Sequence, residues 1–120
     1  MPALVATAAR VGQVRLISEN VGTVKTTDEL RSLATIVRER LGSEAAVVAL
    51  AADVSGKPAV IVATNEEARK SGVRAGALAK LASGILGGGG GGKDDLAQGG
   101  GSDVSAIGAA LDAISAAVAA

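Results

Sequence analysis

The chain has 120 residues, enough for one small domain with a single hydrophobic core. It lacks Phe, Tyr, Trp, Cys and His, which excludes aromatic stacking of bases, disulfides, thiolate or imidazole catalysis, and zinc sites with nitrogen or sulfur ligands. Its net charge is zero, but residues 57–93 carry six basic and two acidic groups, so positive charge leads into the glycine-rich segment that follows.

The first residues give no targeting signal. Residues 1–10 are alanine-rich without a clear period, and we interpret them as a leader or as the end of a preceding helix, with one globular domain over 11–120. No basic stretch precedes a sustained apolar run, and no apolar run reaches the roughly 20 residues of a membrane span. We therefore expect a cytoplasmic location and no membrane partner.

Four elements are predicted in the first half of the chain. The β-branched content of Val11–Val21 favours a strand. Thr26 and Glu29 form a capping box that begins an amphipathic helix, which ends near Gly42. The apolar runs at residues 45–52 and 59–63 predict two buried strands joined by a turn.

Three helices are predicted in the second half. Asn65 caps a short helix, and a longer one runs from about Ala75 into Gly87 with a proposed buried face of Leu78, Leu81, Ala82, Ile85 and Leu86. A final helix spans 103–119, capped by Ser102 or Asp103, and carries an apolar stripe formed by Val104, Ile107, Leu111, Ile114 and Val118. The stripe is interpreted as core, with a helix-pairing seam as the alternative.

Between these helices lies the segment Gly87–Gly101, GGGGGGKDDLAQGGG. A glycine run exposes backbone N–H groups that can form an anion-binding nest, whereas composition alone favours a flexible tether. The letters match a Walker A loop, but Asp94 replaces the Ser or Thr that would hold magnesium, and the segment follows a helix instead of a strand. The sequence therefore argues against nucleotide hydrolysis.

The same fifteen residues resemble the glycine-rich signature of the C-terminal, DHHA1-type domain of bacterial alanyl-tRNA synthetases. The resemblance runs from about Val11 to the C-terminus. In that family the basic position after the glycines corresponds to Lys93, and Asp95, Ala97, Gln98, Gly100 and Gly101 match the motif. Asp94 stands in place of the usual proline and Leu96 in place of methionine. The related DHH phosphoesterases carry histidine where this chain has Lys93.

The resemblance implies an α/β fold, a small single domain with a DHHA1-like sheet of about four strands flanked by helices. It also implies a non-catalytic domain that contacts the outer corner of alanine-specific tRNA and bridges the aminoacylation and editing domains of the synthetase. The parent enzyme would be an ATP-dependent alanine–tRNA ligase using ATP, magnesium and zinc elsewhere, and this domain is expected to need no cofactor, to hold no metal and to contain no catalytic residue.

The candidate RNA-binding residues are the two glycine clusters, the polar residues between them and a preceding basic cluster: Gly87, Gly88, Gly89, Gly90, Gly91, Gly92, Lys93, Gln98, Gly99, Gly100, Gly101, Lys70, Arg74 and Lys80. The expected partners are tRNA and the remainder of the synthetase chain, with a homodimer as a further option. The alternative function is an assembly module, in which the final helix or the alanine-rich N-terminus pairs protomers and the glycine run is a tether.

Overall fold

In a computed structural model of the chain, residues 9–11, 14–41 and 44–119 are described. They form one mixed sheet in the order β1-β2-β3-β4-β6-β5. The strands are β1 (Ala9–Val11), β2 (Val14–Val24), β3 (Ala46–Val54), β4 (Lys57–Thr64), β5 (Gly90–Gly92) and β6 (Leu96–Gly100). Only the β2–β3 pair is parallel, and the other neighbours are antiparallel. The α/β class is confirmed.

Among the described residues, four α-helices cover the sheet: α1 (Thr27–Arg40), α2 (Glu66–Lys70), α3 (Ala75–Leu86) and α4 (Ile107–Ala119), the last preceded by a 3₁₀ turn at Val104–Ala106. One apolar cluster joins α3, α4 and Ala68 of α2 to one face of the sheet, and a second joins α1 to the opposite face. The sheet is therefore the middle of three layers. None of these helices is long and apolar enough to cross a membrane.

Local signals set the ends of the helices. The Thr26 hydroxyl accepts a hydrogen bond from the Glu29 N–H at 3.1 Å, so the predicted N-cap begins α1. The Glu29 carboxylate accepts from the N–H of Lys25 at 3.3 Å, one residue before the N–H that a regular capping box uses. The Asn65 side chain accepts from the Ala68 N–H at 3.0 Å and begins α2. The predicted stop at Gly42 lies outside the described residues.

The two predicted central strands are confirmed and longer than expected. β3 and β4 form a hairpin whose turn is Ser55–Gly56, with both residues at positive φ and with the Asp53 carboxylate accepting the Gly56 N–H at 2.7 Å. Nearly every residue of both strands is buried because helices cover both faces of the sheet.

The sheet has six strands, more than the expected four or so, because the glycine-rich segment itself supplies β5 and β6. The stretch 1–10 contributes Ala9 and Arg10 to β1, which pairs with β2. Residues 1–8 lie outside the described part of the chain.

The apolar stripe of the last helix is part of the core. The Asp103 carboxylate accepts the Ser105 N–H at 3.0 Å, and Ile107, Leu111, Ile114 and Val118 are buried against α3 and the sheet. Val104 is half-buried beside them. Because the stripe is already covered inside the domain, it is not available to pair with a helix of another protomer.

The predicted buried face of α3 is partly wrong. Leu78, Ala82 and Leu86 are buried, but Leu81 is 41% and Ile85 37% exposed, and Ala79 and Ser83 are buried in their place. The helical spacing predicted that the large apolar residues of α3 would be buried. One side of α3, however, packs against a pair of glycine strands whose backbone approaches the helix closely. Small residues on the helix permit that approach.

Candidate nucleic-acid interface

The glycine-rich segment is an ordered β-hairpin at one edge of the sheet. In the register of this hairpin Gly90 faces Gly99, Gly91 faces Gln98 and Gly92 faces Ala97. β6 continues the sheet by pairing with β4, and in the described sheet β5 has β6 as its single neighbour. We call residues 89–100 the glycine hairpin; its regular pairing excludes the tether.

The glycine hairpin begins where α3 ends. Gly87 has φ 87° and ψ 25°, the left-handed conformation that closes many helices and that glycine adopts without a steric penalty. The Gly88 N–H donates to the Ser83 carbonyl at 2.9 Å. On the return path the N–H groups of Ser102 and Asp103 both donate to the Leu86 carbonyl, at 3.0 and 3.2 Å. Both glycine clusters are thus anchored to one helix end.

One face of the hairpin is sealed by α3. A Cβ added at Gly99 would lie 1.7 Å from the Ser83 hydroxyl oxygen, and one at Gly90 would lie 2.3 Å from the same atom. On the α3 side, a Cβ added at Gly76 would lie 2.8 Å from the Gly92 carbonyl oxygen. These distances are below any real Cβ contact, so glycine is required for the backbone to pack against α3. We call this the packed face.

The other face is open. Side chains alternate between the two faces of a strand, so Gly89, Gly91 and Lys93 share the face opposite to Gly90 and Gly92. A Cβ at Gly89 or at Gly91 would meet no atom within 4 Å. We call this side the open face; α1 stands beside it.

The tip of the hairpin is fixed by hydrogen bonds to its backbone. The Asp94 carbonyl accepts from the buried Thr64 hydroxyl at 2.5 Å and from the Ala75 N–H at 2.9 Å. The Asp95 carbonyl accepts from Arg38 Nη1 at 2.8 Å and from the Thr64 N–H at 3.0 Å. Because the carbonyls are held, the exposed Asp94 side chain and the neighbouring Lys93 are presented from a rigid turn.

Lys93 and Gln98 lie together on the open face. The Lys93 side chain is exposed and makes no ion pair or hydrogen bond with the described residues. Gln98 is engaged by α1, because its Oε1 accepts a hydrogen bond from Arg31 Nη2. Arg31 was absent from the sequence-based candidates, since it precedes Gln98 by 67 positions and no local pattern connects them.

The preceding basic cluster lies elsewhere. Lys70 forms an ion pair with Glu67 at 3.1 Å, and the hydrogen bond and charge of Glu67, with a contribution from Glu66, raise the pKa of the Lys70 ammonium. Arg74 precedes α3 and lines a separate cavity together with residues of α3 and α4. Lys80 lies on α3, which covers the packed face. The structure therefore does not bring these three cations to the open face beside Lys93.

The chemistry available here is binding. Among the described residues there is no cluster of three or more carboxylates that could hold a metal ion. An exposed glycine backbone beside an unpaired lysine suits an anionic, extended ligand.

The family model of the DHHA1 domain matches residues 12–120, so the chain belongs to the DHHA1 domain family. Within that family its relatives are alanine–tRNA ligases. The chain is 60% identical over 115 residues to the alanine–tRNA ligase of Leifsonia xyli, and the match covers 96% of this chain and 13% of the relative. It is 63% identical over 114 residues to that of Clavibacter michiganensis, covering 95% of this chain and 13% of the relative.

A solved structure has the same fold. The C-Ala domain of Aquifex aeolicus alanyl-tRNA synthetase superimposes with a TM-score of 0.84 at 28% identity, covering 95% of this chain and 99% of that one. The resemblance to the C-terminal domain of alanyl-tRNA synthetase is thereby confirmed. The chain spans about 13% of the length of the curated relatives that it matches, and it corresponds to their DHHA1 domain, not to their catalytic domain.

Proposed function

We propose that this chain is the tRNA-contacting domain of an alanyl-tRNA synthetase, which holds the outer corner of alanine-specific tRNA while the rest of the enzyme aminoacylates and edits it. The observation that carries the proposal is the open face of the glycine hairpin, where bare backbone adjoins the unpaired cation Lys93. The cytoplasm, where tRNA is charged, is the corresponding location.

Contact with RNA at this site relies on shape and charge. Without aromatic side chains in the chain, bases find no stacking platform, so the ligand groups within reach are phosphates and sugars. Glycine lets the backbone approach them closely, and Lys93 supplies a mobile point charge. Lys70, Arg74 and Lys80 lie away from the open face, and Lys70 is paired with Glu67, so their share is limited to a long-range field that salt screens.

An assembly role has less support. The glycine run forms a paired strand and is therefore not a flexible tether, and the apolar stripe of α4 is buried in the domain core. The other candidate was the alanine-rich N-terminus, residues 1–10, of which Ala9 and Arg10 pair within the sheet and residues 1–8 lie outside the described part of the chain.

The test is a filter-binding titration of the 120-residue chain with full-length alanine-specific tRNA and with a minihelix that lacks the outer corner. We expect the chain to prefer the full tRNA. Lys93→Glu should weaken that binding about tenfold and lower the slope of log affinity against log salt by about one, as loss of one phosphate contact requires. Arg40→Glu, a matched charge reversal at an exposed position of α1, should leave the slope unchanged.

Equal affinity for the two RNAs would refute the contact with the outer corner. An unchanged slope for Lys93→Glu would show that the hairpin tip does not touch phosphate.

A further inference from the structure

Arg31 occupies the middle of the open face with most of its donors unused. Its Nη1 donates to the Asp28 carboxylate at 2.8 Å and its Nη2 donates to Gln98 Oε1. A guanidinium carries five N–H donors, so three remain. The Arg31 side chain is 39% exposed, and these donors face a partly solvated space instead of the core.

That space is a groove along the hairpin. Two open depressions of about 430 and 410 Å³ adjoin at Gln98, which lines both. The first is lined by Arg31, Lys93 and the Gly91–Gly92 backbone, and the second by Thr27, Lys57 and the backbone of Gly89 and Gly99–Gly101. We call the two together the open-face groove. Its floor is glycine backbone and one wall is α1.

The charges along the open-face groove favour an extended anion. Lys93 lies at one end, Lys57 at the other and Arg31 between them. One carboxylate, Asp95, lines the groove, and Asp28 is bonded to Arg31 with its own side chain 84% exposed. Three cations spaced along a groove that is partly floored by glycine backbone match a chain of phosphates more closely than a single compact anion.

Gln98 holds Arg31 without neutralising it. Arg31 forms one ion pair, with the Asp28 carboxylate at 2.8 Å, and because Asp28 is 84% exposed this contact is weakened by solvent. The neutral Gln98 amide oxygen orients the guanidinium over the hairpin without adding a second negative charge to it. The residue paired with Gly91 in the hairpin is Gln98, an amide, and an acid at this position would add a negative charge beside Arg31.

We propose that the open-face groove binds one sugar–phosphate strand of RNA, that Arg31 contacts a phosphate directly, and that Gln98 is a positioning residue acting through Arg31. The inference rests on the proposed tRNA-binding function. The inference goes beyond that function because it places the principal contact on α1, outside the glycine signature, and gives Gln98 an indirect role.

The first test compares Arg31→Gln with Arg40→Gln. Arg40 lies nine residues further along α1, on the opposite side of the helix, and is exposed, so it is a matched control. In filter-binding titrations with tRNA between about 50 and 200 mM salt, Arg31→Gln should bind about tenfold more weakly with a salt slope lower by about one. Arg40→Gln should match the wild-type chain, and thermal unfolding should show both variants folded.

The second test separates positioning from direct contact. Gln98→Ala should weaken binding about threefold in the wild-type chain, as a loosened charge-assisted contact predicts, and should have no further effect in the Arg31→Gln chain. Gln98→Glu should lower the salt slope without lowering the melting temperature. The new carboxylate would keep the contact with Arg31 and neutralise the charge of its guanidinium. A purely structural bridge would leave the slope unchanged.

The outcomes separate the two proposals. If the wild-type chain shows no binding to tRNA, the proposed function fails and the inference fails with it. If the wild-type chain binds and Arg31→Gln binds equally well, the groove assignment is wrong while the proposed function stands. If Gln98→Ala weakens the Arg31→Gln chain as much as the wild-type chain, Gln98 does not act through Arg31.

Discussion

The two faces of the glycine hairpin use the same residue type for opposite purposes. On the packed face a Cβ at Gly90 or Gly99 would overlap Ser83, so glycine there allows two backbones to approach. On the open face a Cβ at Gly89 would meet no atom within 4 Å and its φ is not positive, whereas Gly91 has φ 158° and therefore needs glycine for its backbone conformation. The fold does not require the glycine at position 89, which lines the open-face groove, and a ligand that approaches from outside explains it.

This difference predicts that substitutions on the two faces separate stability from binding. Alanine at Gly90 or Gly99 on the packed face should destabilise the domain, and alanine at Gly89 on the open face should leave its stability unchanged and impair RNA binding.

The largest effect is expected for Gly99→Ala. The new Cβ would lie 1.7 Å from the Ser83 hydroxyl oxygen and 3.2 Å from the Ala79 carbonyl oxygen, and overpacking of this kind costs about 3 kcal/mol. Urea denaturation monitored by circular dichroism should show this loss of stability. Combining it with Ser83→Ala removes the nearest atom, so the double variant should recover about half of the loss.

A Gly99→Ala chain as stable as the wild type would mean that α3 and the hairpin do not pack as closely as described. The Ser83 hydroxyl donates to the Ala79 carbonyl within the helix at 2.7 Å, so Ser83→Ala alone should change stability by less than about 1 kcal/mol.

A smaller effect, on binding alone, is expected for Gly89→Ala. Gly89 has no positive φ and a Cβ there meets open space, so stability should change by less than about 0.5 kcal/mol. The methyl group would stand in the open-face groove and should weaken tRNA binding about threefold, equivalent to ~0.7 kcal/mol. Urea denaturation checks the unchanged stability of Gly89→Ala, and filter binding checks its weaker affinity for tRNA.

Gly84→Ala is the matched control, since it also meets open space but lies on α3, away from the open face. It should stabilise the domain by about 0.5 to 1 kcal/mol through helix propensity and leave RNA binding unchanged. Equal binding by both alanine variants would count against the open face as the contact surface.

The smallest effect is expected for Asp94→Asn. The Asp94 carbonyl, not its carboxylate, holds the hairpin tip, so the fold should be unaffected. Removing a negative charge beside Lys93 should tighten tRNA binding about twofold, mostly at low salt where charges are less screened. Asp112→Asn on the exposed side of α4 should not change binding. If Asp94→Asn also leaves binding unchanged, that carboxylate is directed away from the RNA.

The sequence alone determined the features that depend on near neighbours. Capping by Thr26 and Asn65 and the apolar runs of β3 and β4 are local, so the spacing of a few residues was sufficient to predict them. The family was equally accessible, because fifteen contiguous residues carry its signature and the match to the DHHA1 domain confirms it.

Only the tertiary structure decided which side of the glycine segment is available. Exposure of Leu81 and Ile85 follows from the hairpin that packs on the small face of α3, and no helical period within α3 reports that neighbour. The bond between Arg31 and Gln98 likewise joins positions 67 residues apart. Pattern and capping act over a few residues, whereas a binding surface is assembled by chain segments that folding brings together.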